Sequence, residues 1–200
     1  MPPLFLCYNV NMKADYINPS VYNKIYHLMQ YENALALRVS LETGLRIGDV
    51  LALTPEQLQG NCITYVAQKT GKPGKKYISA DLSRRLRRVS DKNFIFPGRF
   101  DDKPRTRQTV WKDVKKAAKR LGIAENATCH SARKTYAVEL FHNSGLPKVQ
   151  KELQHDRIDT TMIYAFADML GGSVGSHIDV EALAELIAQK VYEKIVHLFG

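Results

Sequence analysis

Five short polar segments, spread over more than half of the chain, most constrain how this sequence can fold. In chain order they are Thr43–Arg46, Gln68–Gly71, His130–Arg133, Leu153–His155 and Thr160–Tyr164. Each pattern is common by itself, and an isolated arginine or histidine usually has an ordinary structural role. Together, in this order and spacing, the segments supply two arginines, a lysine, two histidines and a tyrosine to one site. A stable fold must therefore bring five separate segments together around a single centre.

These six side chains have the chemistry that a metal-free attack on a phosphodiester requires. They are Arg46, Lys69, His130, Arg133, His155 and Tyr164. A planar guanidinium binds phosphate through two hydrogen bonds, which a lysine ammonium does less well. A tyrosine phenol has a pKa near ~10, so it needs a base or nearby positive charge before it can attack. The sequence has no P-loop, no paired acidic residues of the two-metal kind and no zinc spacing, so we expect neither a metal nor a cofactor.

The spacing around two of the segments predicts local structure that would aim their side chains. Arg46 lies at the junction of two predicted helices, and Asp49 is three residues on, within reach to brace a neighbouring cation. His130 and Arg133 share one face at the start of a helix, for which Thr128 is a suitable cap. A helix N-terminus itself attracts phosphate.

The set resembles the catalytic domain of the tyrosine recombinases, the phage integrase and Xer family. The resemblance runs from about Asn18 to Tyr164. It is closest at Thr-Gly-Leu-Arg with an acid three residues on, at His-x-x-Arg, and at the nine-residue interval between His155 and Tyr164.

The resemblance implies cleavage and rejoining of DNA through a 3′-phosphotyrosyl intermediate. Arg46 and Arg133 would bind the scissile phosphate, and Tyr164 would attack it. His130 would donate a hydrogen bond to the phosphate or act as base for the nucleophile, and His155 would bind a non-bridging oxygen. Lys69 would be the general acid, with Lys72 as the alternative.

Composition and charge favour a nucleic-acid partner. The chain has 200 residues, enough for one core, with a formal net charge of +9 and a pI of about 9.4. Such a charge predicts a polyanionic partner, here double-stranded DNA. Cys7, Cys62 and Cys129 are odd in number and scattered, as expected for free thiols in a reducing compartment. No apolar run is long enough to span a bilayer, so we expect a cytoplasmic protein of a bacterium or phage, without membrane contact.

Basic side chains outside the central set are candidates for contacts with the DNA backbone. One group surrounds the predicted hairpin tip, and the other lies on the polar face of a predicted helix that begins at Thr106. The candidates are Lys72, Lys75, Lys76, Lys112, Lys115, Lys116, Lys119 and Arg120. Clusters of this kind are usually solvated faces, and those members that do touch DNA should give salt-sensitive, sequence-poor binding.

Periodicity and capping signals predict an α+β fold that is mainly α, with one small antiparallel sheet. The predicted elements are a helix from Asn18-Pro19-Ser20 with Val21, Ile25 and Leu28 on one face, a core helix over 33–45, a capping box at Thr54–Gln57, a hairpin of strands 62–69 and 75–79, and helices over 81–89, 106–121, 131–144 and 147–154.

The predicted organisation is a catalytic domain between two appendages. Residues 1–15 form a linker or loose N-terminus, 16–170 the catalytic domain, 171–177 a flexible link and 178–200 an amphipathic helix. That helix either folds back on its own core or, as in the family, docks on a neighbouring protomer. The resemblance implies a homo-oligomer on DNA, from dimer to tetramer, with a monomer in isolation as the alternative. The N-terminal DNA-clamping domain usual in the family has no room here, so the chain is either a catalytic domain cut from a longer protein or a minimal member.

Two other functions use the same residues or the same fold. A type IB topoisomerase would use this chemistry to relax DNA without exchanging partners, and the small size and the C-terminal helix argue against it. A non-catalytic DNA-binding protein could keep the fold, but the complete set of six side chains argues for catalysis.

Overall fold

A computed structural model describes residues 16–100, 102–123 and 126–153. Within these ranges the chain forms six α-helices and one three-stranded antiparallel sheet, which confirms the predicted mainly helical α+β class. The elements are α1 Pro19–Leu28, α2 Tyr31–Thr43, α3 Ile47–Leu51, a 3-10 turn Pro55–Gln57, β1 Leu58–Gln59, β2 Cys62–Val66, β3 Pro73–Tyr77, α4 Ala80–Val89, α5 Arg107–Arg120 and α6 Cys129–Leu153.

Helix α2 runs through the core and packs against α3, α4, α5 and α6. Leu35, Leu37 and Val39 are fully buried on different sides of the helix, which confirms the prediction of a core helix. Three polar residues of α2, Asn33, Ser40 and Thr43, are also buried and make hydrogen bonds; Ser40 Oγ, for example, donates to the carbonyl of Leu45 at 2.7 Å. The polar groups are thus satisfied where they are removed from water.

Helix α1 begins where the sequence predicts, because the Asn18 carboxamide accepts a hydrogen bond from Ser20 N at 2.9 Å. Ile25 is fully buried and Val21 packs against the core, as predicted, whereas Leu28 is 40% exposed, so the prediction is wrong for Leu28. Tyr22 is also buried, and its hydroxyl donates to the carbonyl of Thr128 at 3.1 Å, which joins α1 to the start of α6.

The predicted hairpin is confirmed as β2 and β3, paired from Cys62–Tyr77 to Val66–Pro73. A short strand β1 adds to its edge through the pairs Leu58–Ile63 and Gln59–Cys62. The capping box at Thr54 forms, with Thr54 N donating to Gln57 Oε1 at 2.9 Å. It starts a single 3-10 turn and not a longer helix, because the chain enters β1 immediately afterwards.

Helix α6 is continuous over Cys129–Leu153, so the prediction of two helices over 131–144 and 147–154 is wrong. Pro147 lacks one backbone donor, but its φ suits a helix, and the helix runs through it. The described cysteines, Cys62 and Cys129, are free thiols, and Cys7 lies outside the described residues. Over the ranges described, no helix has both the length and the apolar character to cross a bilayer.

Candidate active site

Arg46 is aimed by a tight turn between α2 and α3. Gly44 ends α2 with φ 71°, a conformation that glycine adopts without a Cβ penalty. The Thr43 hydroxyl donates to the carbonyl of Val39 at 2.6 Å and accepts from Leu45 N at 3.2 Å. These bonds fix the chain just before Arg46, which starts α3 in an extended conformation. The half-buried Arg46 side chain therefore extends from a backbone that these hydrogen bonds hold in place.

Arg133 reaches the same turn from α6. Its Nη1 donates to the carbonyl of Gly44 at 2.6 Å, across 89 residues of sequence. Since Gly44 precedes Arg46 by two residues, this bond brings the two arginines of the predicted phosphate clamp to one place.

His130 lies one helical turn before Arg133, at the start of α6. The predicted cap is confirmed: Thr128 Oγ1 accepts from His130 N at 3.2 Å, and Thr128 N donates to Ser131 Oγ at 3.0 Å. The helix therefore starts at Cys129, two residues earlier than predicted.

The environment of His130 favours its neutral form. Although His130 is exposed, the protein around it removes part of the solvation of its ring, and this desolvation lowers its pKa. Positive charges lower the pKa further, in the order Arg133, Arg46, Arg107 and Lys134. His130 therefore lies within electrostatic reach of both predicted clamp arginines, in a region of concentrated positive charge.

The hairpin tip that carries Lys69 is a compact turn. Thr70 N and Gly71 N both donate to the carbonyl of Ala67, at 3.2 and 2.8 Å, and Ala67 N donates to the carbonyl of Lys72 at 2.9 Å. The Lys69 side chain is exposed. The turn holds its backbone while the ammonium remains open to a substrate.

Asp49 connects this tip to the arginine turn. Its Oδ1 accepts a hydrogen bond from Gln68 N at 3.0 Å, and Gln68 Nε2 lies 3.5 Å from the carbonyl of Gly48. We expected Asp49 to brace a cation such as Arg46. Its hydrogen bond among the described residues goes instead to the backbone beside Lys69, because α3 turns the carboxylate towards the hairpin.

Lys76 does not belong to the exposed basic tip, and that expectation is wrong. Only 7% of Lys76 is exposed, whereas Lys69, Lys72 and Lys75 are exposed. Strand alternation turns Lys76 inward, where its ammonium pairs with the Glu152 carboxylate and donates to the Glu152 carbonyl at 3.0 Å.

The basic face of α5 is solvated as predicted, and its apolar face, including Val110 and Val114, is buried. Lys112, Lys116, Lys119 and Arg120 are exposed. Lys115 is half-buried, with its ammonium bonded to Asn126 and 6.0 Å from the centre of the Trp111 ring.

Arg107 is a site residue that the sequence reasoning missed. It opens α5, and its Cδ would lie 3.4 Å from a Cβ added to Gly48. This position places its charge close enough to lower the pKa of His130. The sequence does show that Arg107 opens a helix capped by Thr106, but nothing in it indicates that Arg107 lies beside Gly48.

The structure thus brings together Arg46, His130 and Arg133, with Lys69 held nearby through Asp49. His155 and Tyr164 lie outside the described residues. Two guanidinium groups and an imidazole at a helix N-terminus form a site suited to a phosphate diester.

Comparison with known proteins gives a family match over residues 15–170, to the Phage integrase family. The chain is 29% identical over 147 residues to the tyrosine recombinase XerC of Mesorhizobium japonicum, covering 68% of this chain and 47% of that protein. It is 32% identical over 126 residues to the integrase of Escherichia phage P2, covering 62% of this chain and 35% of that protein. The chain therefore spans half or less of the length of these relatives.

Solved structures share the fold at low sequence identity. A lambda integrase dimer bound to a COC′ core site matches with a TM-score of 0.65 and 19% identity, over 83% of this chain and 51% of that one. The XerH site-specific recombinase bound to palindromic difH substrate matches with a TM-score of 0.62 and 19% identity, over 89% and 52%. The catalytic domain of bacteriophage HP1 integrase matches with a TM-score of 0.58 and 24% identity, over 76% and 87%.

Proposed function

This chain belongs to the phage integrase family, and we propose that it cleaves and rejoins double-stranded DNA as a site-specific recombinase. The observation that carries the proposal is the Arg133–Gly44 hydrogen bond, which brings Arg133 and His130 to the turn that aims Arg46. The proposed chemistry uses protein side chains alone.

The proposed first step is binding of the scissile phosphate by Arg46 and Arg133. Arg133 Nη1 donates to the Gly44 carbonyl, and this bond fixes the plane of the guanidinium group beside Arg46. Arg107 adds positive charge at the edge of the site. Donors held in place before the reaction stabilise the charge that develops on the phosphate oxygens without reorganising.

Tyr164 is the proposed nucleophile. Its Oη forms a bond to phosphorus while the bond from phosphorus to the 5′ oxygen breaks, leaving a 3′-phosphotyrosyl DNA. A neutral His130 takes the phenol proton, for which the lowered pKa in the free protein suits it. Lys69 gives a proton to the leaving 5′ oxygen, and His155 donates to a non-bridging oxygen. Rejoining is the reverse sequence on a new 5′ hydroxyl.

The proposed partner is double-stranded DNA, on which the protein forms a homo-oligomer. The lambda integrase match is a dimer bound to DNA, which supports this assembly. We further propose that 178–200 form a helix that docks on a neighbouring protomer, and that the protein works in the cytoplasm, where thiols stay reduced. Unchanged assembly on DNA after removal of 178–200 would contradict the exchange of this helix.

The test is covalent capture on a nicked suicide duplex that carries candidate attachment sites, in the presence of EDTA. Wild type should give a denaturant-resistant protein–DNA band, and Tyr164→Phe should give none. Tyr77→Phe is the matched control, because Tyr77 is 74% exposed on β3 and loses the same hydroxyl. Its band should equal that of wild type.

The outcomes separate the candidate functions. A band that persists in Tyr164→Phe identifies another nucleophile. Products that join two different DNA molecules indicate recombination, whereas relaxation of supercoils without joined products indicates a topoisomerase. Sequence-specific binding without a band, once the attachment site has been mapped by footprinting, indicates a binding protein.

A further inference from the structure

Gly48 brings two side chains from other elements together beside the arginine turn. It belongs to α3, two residues after Arg46, and has no side chain of its own. A Cβ built on Gly48 would lie 3.4 Å from Cδ of Arg107 and 3.5 Å from Oε1 of Gln68. Arg107 opens α5, and Gln68 lies in the turn at the hairpin tip. The stem of Arg107 therefore rests on α3, next to the residue that precedes Lys69.

The guanidinium group of Arg107 is available to a ligand. Arg107 is exposed, and within the described ranges its side chain forms no hydrogen bond or ion pair. Arg105, only two residues earlier, is by contrast held on α2: its Nη1 donates to Asn33 Oδ1 at 3.2 Å, and its Nη2 lies 3.9 Å from Glu32 Oε2. A cation with a packed stem and an unpaired head can bind an anion without first breaking a contact.

The charge of Arg107 acts on the same imidazole as the charges of the proposed phosphate clamp. Desolvation lowers the pKa of His130 most, and the charges of Arg133, Arg46 and Arg107 lower it further. Arg107 is thus close to the start of α6 as well as to α3. It lies among the three described elements that carry the proposed site, which are α3, the hairpin tip and α6.

Arg107 stands beside the clamp and not behind it. Residues two apart in a helix do not share a face, so a side chain that rests on Gly48 approaches from a different side than Arg46. That side is the one on which Gln68 lies, and Lys69 follows Gln68 directly. Lys69 is the proposed proton donor to the leaving 5′ oxygen. The offset therefore places Arg107 towards the part of the DNA strand that carries this oxygen.

We propose that Arg107 binds the backbone phosphate next to the scissile phosphate, on the side of the leaving 5′ oxygen. This inference rests on the proposed function. An arginine binds phosphate through two hydrogen bonds, and contacts of this kind fix the register of a protein on DNA. Because one nucleotide joins the two phosphates, holding the second one sets the position of the scissile bond between Arg46 and Lys69.

The experiment measures binding of duplexes in which one backbone phosphate at a time is replaced by an uncharged methylphosphonate. The change in the full-length protein is Arg107→Met, which removes the charge and keeps most of the apolar stem. Arg88→Met is the matched control, because Arg88 is an exposed arginine on another helix, α4. Dissociation constants are measured for each pair of protein and duplex, and for the unmodified duplex over a range of salt concentrations.

Arg107→Met should weaken binding of the unmodified duplex roughly tenfold, as the loss of a hydrogen bond to a charged group commonly does. The slope of log affinity against log salt concentration should fall by about 0.9, the value for one phosphate contact. Wild type and Arg88→Met should lose affinity when the methylphosphonate replaces the proposed phosphate, whereas Arg107→Met should bind that duplex as it binds the unmodified one. At every other position the replacement should weaken wild type and Arg107→Met equally.

Gly48 supplies a second pair of variants, which leave the arginine in place. A Cβ on Gly48 meets its neighbours at ordinary contact distances, so Gly48→Ala should bind DNA as wild type does. In Gly48→Leu the longer side chain occupies the space of the Arg107 stem, and leucine suits a helix, so the fold should be kept. Gly48→Leu should therefore reduce the sensitivity to the methylphosphonate in the same way as Arg107→Met.

The rate of covalent joining separates a binding role from a catalytic one. The neighbouring phosphate keeps its charge throughout the reaction, so a contact with it stabilises the ground state and the transition state equally. Arg107→Met should therefore join a saturating nicked duplex at a rate within about threefold of wild type.

Three results would overturn the inference. The first is an Arg107→Met protein that loses as much affinity as wild type when the proposed phosphate is neutralised. The second is coupling between Arg107 and any other phosphate instead, and the third is joining slowed by roughly 100-fold at saturating duplex, which would place Arg107 on the scissile phosphate itself. If wild type forms no covalent product, the proposed function fails, and a scan of every phosphate in the footprinted site still decides whether Arg107 binds a single one.

Discussion

The carboxylate of Asp49 accepts a hydrogen bond from the backbone N–H of Gln68 at 3.0 Å, and so connects α3 to the hairpin tip. Asp49 is three residues after Arg46, and Gln68 is the residue before Lys69. Through this contact, the proposed phosphate clamp and the proposed general acid share one support. Only 6% of Asp49 is exposed, so water cannot easily replace it as the acceptor.

Removing this acceptor should weaken both the fold and the reaction. In Asp49→Ala the Gln68 N–H loses its partner, which should cost about 1–3 kcal/mol of unfolding free energy. The hairpin tip should also move, and covalent joining at saturating DNA should slow by at least tenfold. Asp49→Asn keeps an oxygen at the same place and should lose less of both. Urea denaturation and single-turnover joining measure the two effects; equal losses in the two variants would show that the charge matters and not the hydrogen bond.

Arg133 should not tolerate lysine. A lysine ammonium cannot hold the Gly44 carbonyl and offer a second, fixed pair of donors to phosphate. Loss of one preorganised donor commonly costs about 100- to 1,000-fold in rate. We expect Arg133→Lys to slow joining by this factor while binding of the duplex changes less. Arg84→Lys, the same change at a position that is 64% exposed on α4, should join at the wild-type rate.

The parts of the fold that the sequence predicted are those set by local signals. Asn18, Thr106 and Thr128 cap the helices that follow them, and alternation in residues 62–66 gives β2. The strand β1 has only two residues and no pattern of its own, since it exists through pairing with β2. The continuity of α6 through Pro147 was likewise not predicted, because a proline within a helical pattern is the usual signal for a helix boundary.

The site was predictable as a set of residues but not as a set of contacts. The motifs named Arg46, His130 and Arg133, whereas the bond from Arg133 to Gly44 joins residues 89 positions apart. Lys76 could have been assigned correctly, because period-two alternation on β3 faces it away from Lys75 and Tyr77. The prediction grouped Lys72, Lys75 and Lys76 as one basic run and so missed that Lys76 faces the interior.

Gly44→Ala should affect activity beyond its effect on stability. Its φ of 71° disfavours any residue with a Cβ, at a cost of about 1–2 kcal/mol. Gly122, which follows α5 with φ 64° and has no atom within 4 Å of an added Cβ, is the matched control. Both alanine variants should lose unfolding free energy, and Gly44→Ala should lose more, because Gly44 is buried and Gly122 is exposed. Only Gly44→Ala should slow joining, because only Gly44 supports Arg46 and Arg133; equal slowing in the two variants would contradict this role.

His130 should make stability depend on pH. Its pKa is lowered in the folded protein, first by partial burial and then by Arg133 and Arg46, so the unfolded chain binds the proton more readily. The stabilisation is present above the unfolded pKa near ~6.5 and is lost as pH falls towards the folded pKa. Unfolding free energies of wild type and His130→Asn should therefore diverge between pH 8 and pH 5, with wild type losing more on acidification. If the unfolding free energies of the two proteins change in parallel with pH, the positive charges around His130 do not lower its pKa.

Replacing lysines at the two candidate DNA surfaces should change the salt dependence of duplex binding to different extents, because the lysines differ in exposure. Each phosphate contact adds about 0.9 to the slope of log affinity against log salt concentration. Lys116 is exposed on α5, so Lys116→Met should reduce the slope by roughly one contact if α5 faces the backbone. Lys115 is held by Asn126 and Trp111, so Lys115→Met should reduce it less. Lys76→Met removes the same charge from a buried position and should leave the slope unchanged. A salt titration of duplex binding measures all three variants. If Lys116→Met and Lys76→Met both keep the wild-type slope, the DNA lies on another face; if both reduce the slope equally, net charge and not a contact sets the salt dependence.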